Sequence, residues 1–318
     1  MRSAVRAASG RTEAVSDIAI QSLPDGADDA SRIASLLGIP FREIALHWFP
    51  DREMRVTVGT SAATTILYAS LDQPNEKLIA LLFAAEALRR AGTTRIVLLA
   101  PYLCYMRQDT AFIGGEAISQ KAVGRLLAGI ADRIVTADAH LHRTRDIGAV
   151  FPGIEAENLS AMPAIAAAIR KAGIDPATVV TGPDAESEPL VSDLAGRLGL
   201  SYAVGQKTRR SDAAVDVGFA NARLLAGRPA LIIDDIVSSG ATLITCAKAL
   251  TAAGAKTIDA IITHALFPAA LTTSFSDAGI RSIRSITSVH HPTNAIRLDE
   301  IFVAALRREL TTHPGTTT

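Results

Sequence analysis

The sequence lacks a net charge. Its 32 basic and 32 acidic residues cancel to zero, so no global electrostatic pull toward nucleic acid or an anionic membrane is expected, although a local basic site stays open. Cysteine is scarce. Cys104 and Cys246 stand far apart inside apolar stretches, where small core residues are expected rather than a disulfide or a metal pair, and a cytoplasmic, reducing setting follows as the default. No apolar run reaches membrane-spanning length, and the opening "MRSAVRAASGRTEAVS" has no secretory apolar region. Glu13 within it speaks against a transit peptide, so residues 1–16 read as a disordered tail, as do residues 311–318. What remains is 48% hydrophobic and 20% charged over 318 residues, enough to bury substantial cores and long enough to favour two domains in a soluble, globular chain.

Short β-branched or apolar runs alternate with helical patterns along the interior. "TTILYAS" precedes "EKLIALLFAAEALRRAG", "RIVLLAP" and "RIVTAD" flank "ISQKAVGRLLAGI", "ATVVTGP" precedes "EPLVSDLAGRLG", and "ALIIDD" precedes "TLITCAKALTAAG". This alternation predicts α/β architecture, a mainly parallel sheet with helices on both faces. The chain also resembles itself. "AAEALRRAGTTRIVLL" aligns with "CAKALTAAGAKTIDAI", matching Ala87 with Ala249, Gly92 with Gly254 and Ile96 with Ile258. At that constant offset "DDIVSSGAT" falls on "DQPNEKLIA" of residues 72–80, which has no glycine. A duplicated domain whose second copy alone keeps an anion loop is the expectation.

That loop is "LIIDDIVSSGATL", residues 231–243. A strand ending in Asp234 and Asp235, then Ser238, Ser239, Gly240, Ala241 and Thr242, then a helix, directs unpaired backbone N–H groups and hydroxyls at one spot. Gly240 lets the backbone curl closely around an anion. The two carboxylates are suited to sugar hydroxyls, directly or through a metal. Phosphate on one side and hydroxyls on the other describe a sugar phosphate; the alternative is a helix N-cap with dipole-compensating acids.

The stretch resembles the ribose-phosphate loop of the phosphoribosyltransferase superfamily. Together with "FPDRE" (49–53), "PYLCYMRQD" (101–109), "GEAIS" (115–119), "DRIVTADAH" (132–140), "NLSAMP" (158–163), "GPD" (182–184) and "QKTRR" (206–210), in that order, the chain from about residue 17 to 310 resembles ribose-phosphate diphosphokinases, also called phosphoribosyl pyrophosphate synthases. The resemblance implies two duplicated phosphoribosyltransferase-type domains, each a mainly parallel sheet flanked by helices. Residues 17–162 would form the ATP side with a degenerate phosphate loop, and 163–310 the ribose 5-phosphate side. It implies transfer of the β,γ-diphosphoryl group of ATP to the C1 hydroxyl of ribose 5-phosphate, with Mg2+ as cofactor and AMP leaving.

Carried onto this chain, the resemblance makes Lys207 and Arg209 the catalytic cations, on a polar, Gly-bearing loop that would close over the phosphates. His140 and Asp184 match the metal-associated positions, and His142 is only a neighbour. Arg107, Gln108 and Asp109 match ATP contacts, with Phe49, Asp51 and Glu53 holding adenine. In the family that second loop reaches in from a neighbouring subunit, so a homo-oligomer is implied, with the ATP site near the interface. The chain departs from the commoner pattern at "TAFIGGEAIS" after Asp109, at "AESEPL" after Asp184, and at Ser238, where an acid is usual, and Ala241. These departures leave control by phosphate or ADP open. Two alternatives stand beside the synthase: a phosphoribosyltransferase that consumes its product, and a non-catalytic regulatory paralogue.

Overall fold

The computed structural model describes residues 17–141, 143–144, 146–211 and 214–311, with the side chains of 207–217 excepted. Residues 1–16, expected as a tail, along with His142 and residues 312–318 lie outside the described residues. The first half runs β1 (Ile18–Ser22), α1 (Ala27–Leu37), β2 (Phe41–Glu43), β3 (Ala45–Trp48), β4 (Met54–Thr57), β5 (Thr64–Tyr68), α2 (Pro74–Arg90), β6 (Arg95–Ala100), α3 (Ser119–Ala128), β7 (Arg133–Ala137) and β8 (Glu155–Leu159). The second runs α4 (Met162–Ala172), β9 (Val179–Gly182), α5 (Glu188–Leu198), β10 (Ser201–Ser211), β11 (Ala214–Phe219), β12 (Pro229–Val237), α6 (Ala241–Ala252), β13 (Thr257–Ala265), α7 (Leu271–Asp277), β14 (Ile280–Ile286), β15 (Asn294–Ile296) and α8 (Asp299–Thr311).

Local chemistry accounts for these boundaries. β5, β7 and β9 are buried along their whole lengths, as strands covered by helices on both faces must be. α1 and α5 each end on a glycine in the left-handed conformation, Gly38 and Gly199, which turns the chain back toward the sheet. Pro74 starts α2, where a missing N–H costs no helical hydrogen bond.

The first sheet has strand order β2, β1, β5, β6, β7, β8, all parallel; the second has β11, β10, β9, β12, β13, β14, β15, parallel except where β11 folds back on β10. Matching β1 with β9, β2 with β10 and β5 with β12 superposes the two orders strand for strand, so the internal resemblance is a duplicated domain. One detail of it needs correcting. Tyr68 pairs with Leu99 and Ile233 with Ile261, which sets Asp234 and Asp235 opposite Ala69 and Ser70, not opposite residues 72 and 73. α2 has 17 residues and α6 only 12, so the offset read from the helices does not carry back to the strands. "QKTRR", expected as a loop, lies in the antiparallel ribbon of β10 and β11.

The two halves share a core. Ile20, Ile66 and Val135 of the first sheet belong to the same buried cluster as Val180, Leu231 and Ile261 of the second, joined by Ile165 of α4 and Phe302 and Leu306 of α8. α8 thus returns from the end of the chain onto the first half. Arg133, fully buried, donates to Glu309 at 2.8 Å and also to Glu157, while Arg95 donates to Glu309 at 2.7 Å. Burial alone would raise the Glu309 carboxyl. The hydrogen bonds and charges of Arg95 and Arg133 outweigh it and hold that carboxyl below its usual range, so its contribution is complete above that range and is lost as pH falls.

Without Glu309, Arg133 keeps Glu157 and Arg95 keeps Glu155, so the loss is that of charged hydrogen bonds, about 1.5–3 kcal/mol, and not of a stranded charge. Glu309→Ala is expected to lower the urea midpoint accordingly, with an unchanged slope. A midpoint equal to that of the wild type would contradict this role for α8.

Candidate active site

The carboxyl ends of the two parallel sheets meet. Arg107, beyond β6, donates to Ser238 Oγ beyond β12 at 3.3 Å, and His140 Nδ1, beyond β7, lies 2.6 Å from Asp235 Oδ2. Thr263 Oγ1 of β13 donates to the Asp138 carboxylate at 3.3 Å, and Ser70 Oγ donates to the Ser288 carbonyl at 2.5 Å. In the second sheet β9 connects to β10 on one side while β12 lies on its other side. Such a switch in strand order leaves a crevice at the carboxyl ends, the usual ligand position in open α/β sheets.

A cleft of roughly 320 Å³ occupies that crevice, lined by Arg107, His140, Asp184, Asp234, Asp235, Ser238, Ser239, Gly240 and Thr242. The structure therefore brings together the acids, the hydroxyl loop and both metal-associated positions expected from sequence. Ala241 contributes only the first residue of α6. The aspartates bond to the backbone before the helix: Asp234 Oδ1 accepts from the Asp235 N–H at 3.1 Å, and Asp235 Oδ1 from the Ile236 N–H at 2.7 Å. The N-cap is Gly240, with no side-chain cap bond and φ of 78°. A methyl group there would meet the Phe275 ring at 2.6 Å, so glycine is required for both conformation and space. At the helix start the side-chain contact is that of Ser239, whose Oγ accepts from the Ala241 N–H at 3.5 Å, so the part of the helix-cap alternative seen here falls to Ser239.

Arg107 and Ser238 also line a second, wider cleft of roughly 750 Å³, with Leu71, Tyr102, Tyr105, Gln108, Phe112, Phe267, His290 and His291 around it. Two of the expected nucleotide contacts are otherwise engaged. Gln108 Nε2 donates to Glu116 at 2.8 Å and its Oε1 accepts from Ser119 at 2.6 Å, while Asp109 accepts from Arg143 at 2.7 Å. Phe49, Asp51 and Glu53 lie elsewhere, on the turn joining β3 and β4. There the Phe49 N–H donates to the Glu53 carbonyl at 2.8 Å and the Glu53 N–H to Asp51 Oδ1 at 3.1 Å. Glu53 lines a separate groove with Trp48, Ile79 and Phe83. Within one chain, these three residues line neither cleft.

Sequence reading passed over several residues of this region. Asp138 is buried, takes a positive φ of 39°, and accepts from the Ala161 N–H and Thr263; burial pushes its carboxyl up to about 7. Burial pushes His264 down to about 4, so its ring is neutral, donating from Nε2 to the Asp138 carbonyl at 3.3 Å with Nδ1 beside Ser288. Gln73 and Tyr105, which line the wider cleft, also have positive φ. Backbone strain of this kind, about 1–3 kcal/mol per residue, persists where the surrounding structure imposes it. Asp138 and Tyr105 lay within motifs singled out from the sequence, "DRIVTADAH" and "PYLCYMRQD", but without a role of their own, and His264 and Ser288 are ordinary residues until the sheets are apposed.

The donors in the narrower cleft fit Mg2+. Asp184, Glu186, Asp234 and Asp235 offer hard oxygen ligands, and His140 has one ring nitrogen already engaged by Asp235. Among the described residues no three such side chains form a ready metal cluster. Mg2+ is commonly held by one or two carboxylates plus substrate phosphates.

Fold and cleft define a pair of phosphoribosyltransferase-type domains. Residues 18–130 match the family model of the N-terminal domain of ribose phosphate pyrophosphokinase, and 156–300 that of the phosphoribosyl transferase domain. The chain is 32% identical over 272 residues to ribose-phosphate pyrophosphokinase 2 of Archaeoglobus fulgidus, covering 86% of this chain and 94% of that one. It is 28% identical to the ribose-phosphate pyrophosphokinase of Methanopyrus kandleri, covering 84% and 91%. The crystal structure of phosphoribosylpyrophosphate synthetase from Mycobacterium smegmatis shares the fold, with a TM-score of 0.80 at 22% identity over 93% of this chain and all of that one. The chain belongs to the ribose-phosphate pyrophosphokinase family.

Gly240→Ala is expected to destabilise the protein by about 1–3 kcal/mol through overpacking against Phe275, aggravated by the positive φ. A thermal midpoint equal to that of the wild type would show that the loop tolerates a side chain there.

Proposed function

We propose that the narrower cleft binds ribose 5-phosphate, that the wider cleft binds ATP, and that the β,γ-diphosphoryl group passes between them. The observation that carries this reading is the position of Arg107, a cation that lines both clefts and reaches Ser238 of the phosphate loop. In the reaction, the C1 oxygen attacks the β-phosphorus, the bond from that phosphorus to the oxygen it shares with the α-phosphate breaks, and AMP departs. Negative charge gathers on phosphoryl oxygens, so positioned cations contribute most to the rate.

Asp234 and Asp235 accept hydrogen bonds from ribose hydroxyls, while Ser238, Ser239, Thr242 and the N–H groups around Gly240 and Ala241 hold the 5-phosphate. His140 and Asp184 would hold Mg2+, which supplies charge neutralisation to the phosphates when bound. Lys207 and Arg209 are the catalytic cations in this reading. Support comes from the backbone: Val204 pairs with Gly182, the last residue of β9, so β10 carries positions 207 and 209 beyond that strand's carboxyl end, on the side of Asp184. Gln108 and Asp109 shape the nucleotide wall through Glu116 and Arg143.

Phe49, Asp51 and Glu53 serve the adenine of a neighbouring subunit in this reading, which makes the protein a homo-oligomer. Trp48, Phe49, Ile79 and Phe83 are exposed beside that turn, an apolar surface suited to a second copy. Residues 17–162 act as the nucleotide half and 163–310 as the sugar half, with α8 crossing between them. We place the enzyme in the cytoplasm, in keeping with two free, buried cysteines. A product-consuming phosphoribosyltransferase and a non-catalytic paralogue are not favoured, because the family correspondence runs through both halves and Arg107, Lys207, Arg209 and both aspartates are present.

Incubated with Mg2+, ATP and ribose 5-phosphate, the protein is expected to release AMP in step with sugar consumption. ADP as the sole nucleotide product would mean monophosphoryl transfer and would contradict the proposal.

A further inference from the structure

The segment between Asp109 and α3 contains no basic residue, yet Phe112 and Ile113 are 65% and 74% exposed, the most exposed large apolar side chains among the described residues. The segment is nevertheless held in shape. Glu116 accepts from the N–H groups of Phe112 at 2.7 Å and Ile113 at 3.3 Å and from Gln108 at 2.8 Å. Gly115 supplies the positive φ of the turn. The Phe112 ring lines the wider cleft, whereas Ile113 does not, and the Arg143 guanidinium sits 5.7 Å from the ring centroid, itself pinned by Asp109.

An exposed ring with a fixed backbone and a cation beside it is suited to receive a flat aromatic ligand. The cleft's polarity orients such a ligand. Phosphates belong at the end shared with the narrower cleft, where Arg107 and Ser238 stand, which leaves the base to the remaining lining, of which Phe112 is part. Gln108, with both amide atoms engaged by Glu116 and Ser119, is poorly placed to read the base itself. We propose that Phe112 binds the nucleotide by stacking on its purine ring from within the same subunit, in addition to any contact from a neighbour. This rests on the assignment of the wider cleft to ATP. Stacking uses the face of the base and not its edge, so Phe112 contributes affinity for purines generally and does not select adenine over guanine.

The test is calorimetric titration of full-length wild type, Phe112→Ala, Phe112→Tyr and Ile113→Ala with AMP, GMP, an ATP analogue bearing an α,β-methylene bridge, and ribose 5-phosphate. Phe112→Ala is expected to weaken both purine monophosphates and the analogue about tenfold, with ribose 5-phosphate binding and thermal midpoint unchanged. Phe112→Tyr keeps the π-face and is expected to stay within about twofold of wild type, as is Ile113→Ala. Undiminished nucleotide affinity in Phe112→Ala, or an equal loss in Ile113→Ala, would overturn the stacking role while leaving the ATP assignment intact. A wild type that binds no purine nucleotide would overturn both.

Discussion

The structure depends on one apposition: the carboxyl ends of two duplicated parallel sheets face each other and are tied by polar contacts across the join. Arg107 to Ser238 and His140 to Asp235 are the ties that reach the cleft; Thr263 to Asp138 and Ser70 to Ser288 lie behind them. Each sheet by itself presents loops at its carboxyl edge. Only their meeting sets a cation from one copy against the anion loop of the other. The shared core around Val135, Ile261 and Phe302, closed by α8, holds the two copies in that relation.

Charge explains why the crevice is a site and not a defect. Several carboxylates converge on a space of roughly 320 Å³, and carboxylates alone would repel a phosphate. The opposing contributions are the first turn of α6, whose N–H groups and dipole favour an anion, and Arg107 from the other copy. A divalent cation would complete the balance. An acidic floor able to accept hydroxyls, a helix terminus suited to phosphate and a cation at the boundary together fit the proposed substrate, with its hydroxylated ring and charged end.

Much of this was legible in sequence because it is local. Apolar runs gave β5, β6, β7, β9 and β12, and Asp234, Asp235 and Gly240 marked the strand–turn–helix that lines the narrower cleft, since these parts are adjacent in the chain. The longer-range parts were hidden. Nothing in "TADAH" says that the Asp138 carboxyl will be buried against β13, because its partner there, Thr263, lies 125 residues away. The engagement of Gln108 by Glu116 and Ser119, and the outward ring of Phe112, follow from the fold of a loop that no periodicity encodes. The longer α2 misled the repeat alignment, since strand register, and not a helical match, fixes which residues correspond across a duplication.

The central claim is that the acid pair grips the sugar and leaves the nucleotide to the adjoining cleft. Its most direct test is to titrate Asp235→Ala separately with ribose 5-phosphate and with a non-hydrolysable ATP analogue. The account predicts that sugar binding falls at least about tenfold, the size of a lost charged hydrogen bond, while nucleotide affinity holds. Unchanged sugar affinity, or equal loss of both ligands, would contradict it.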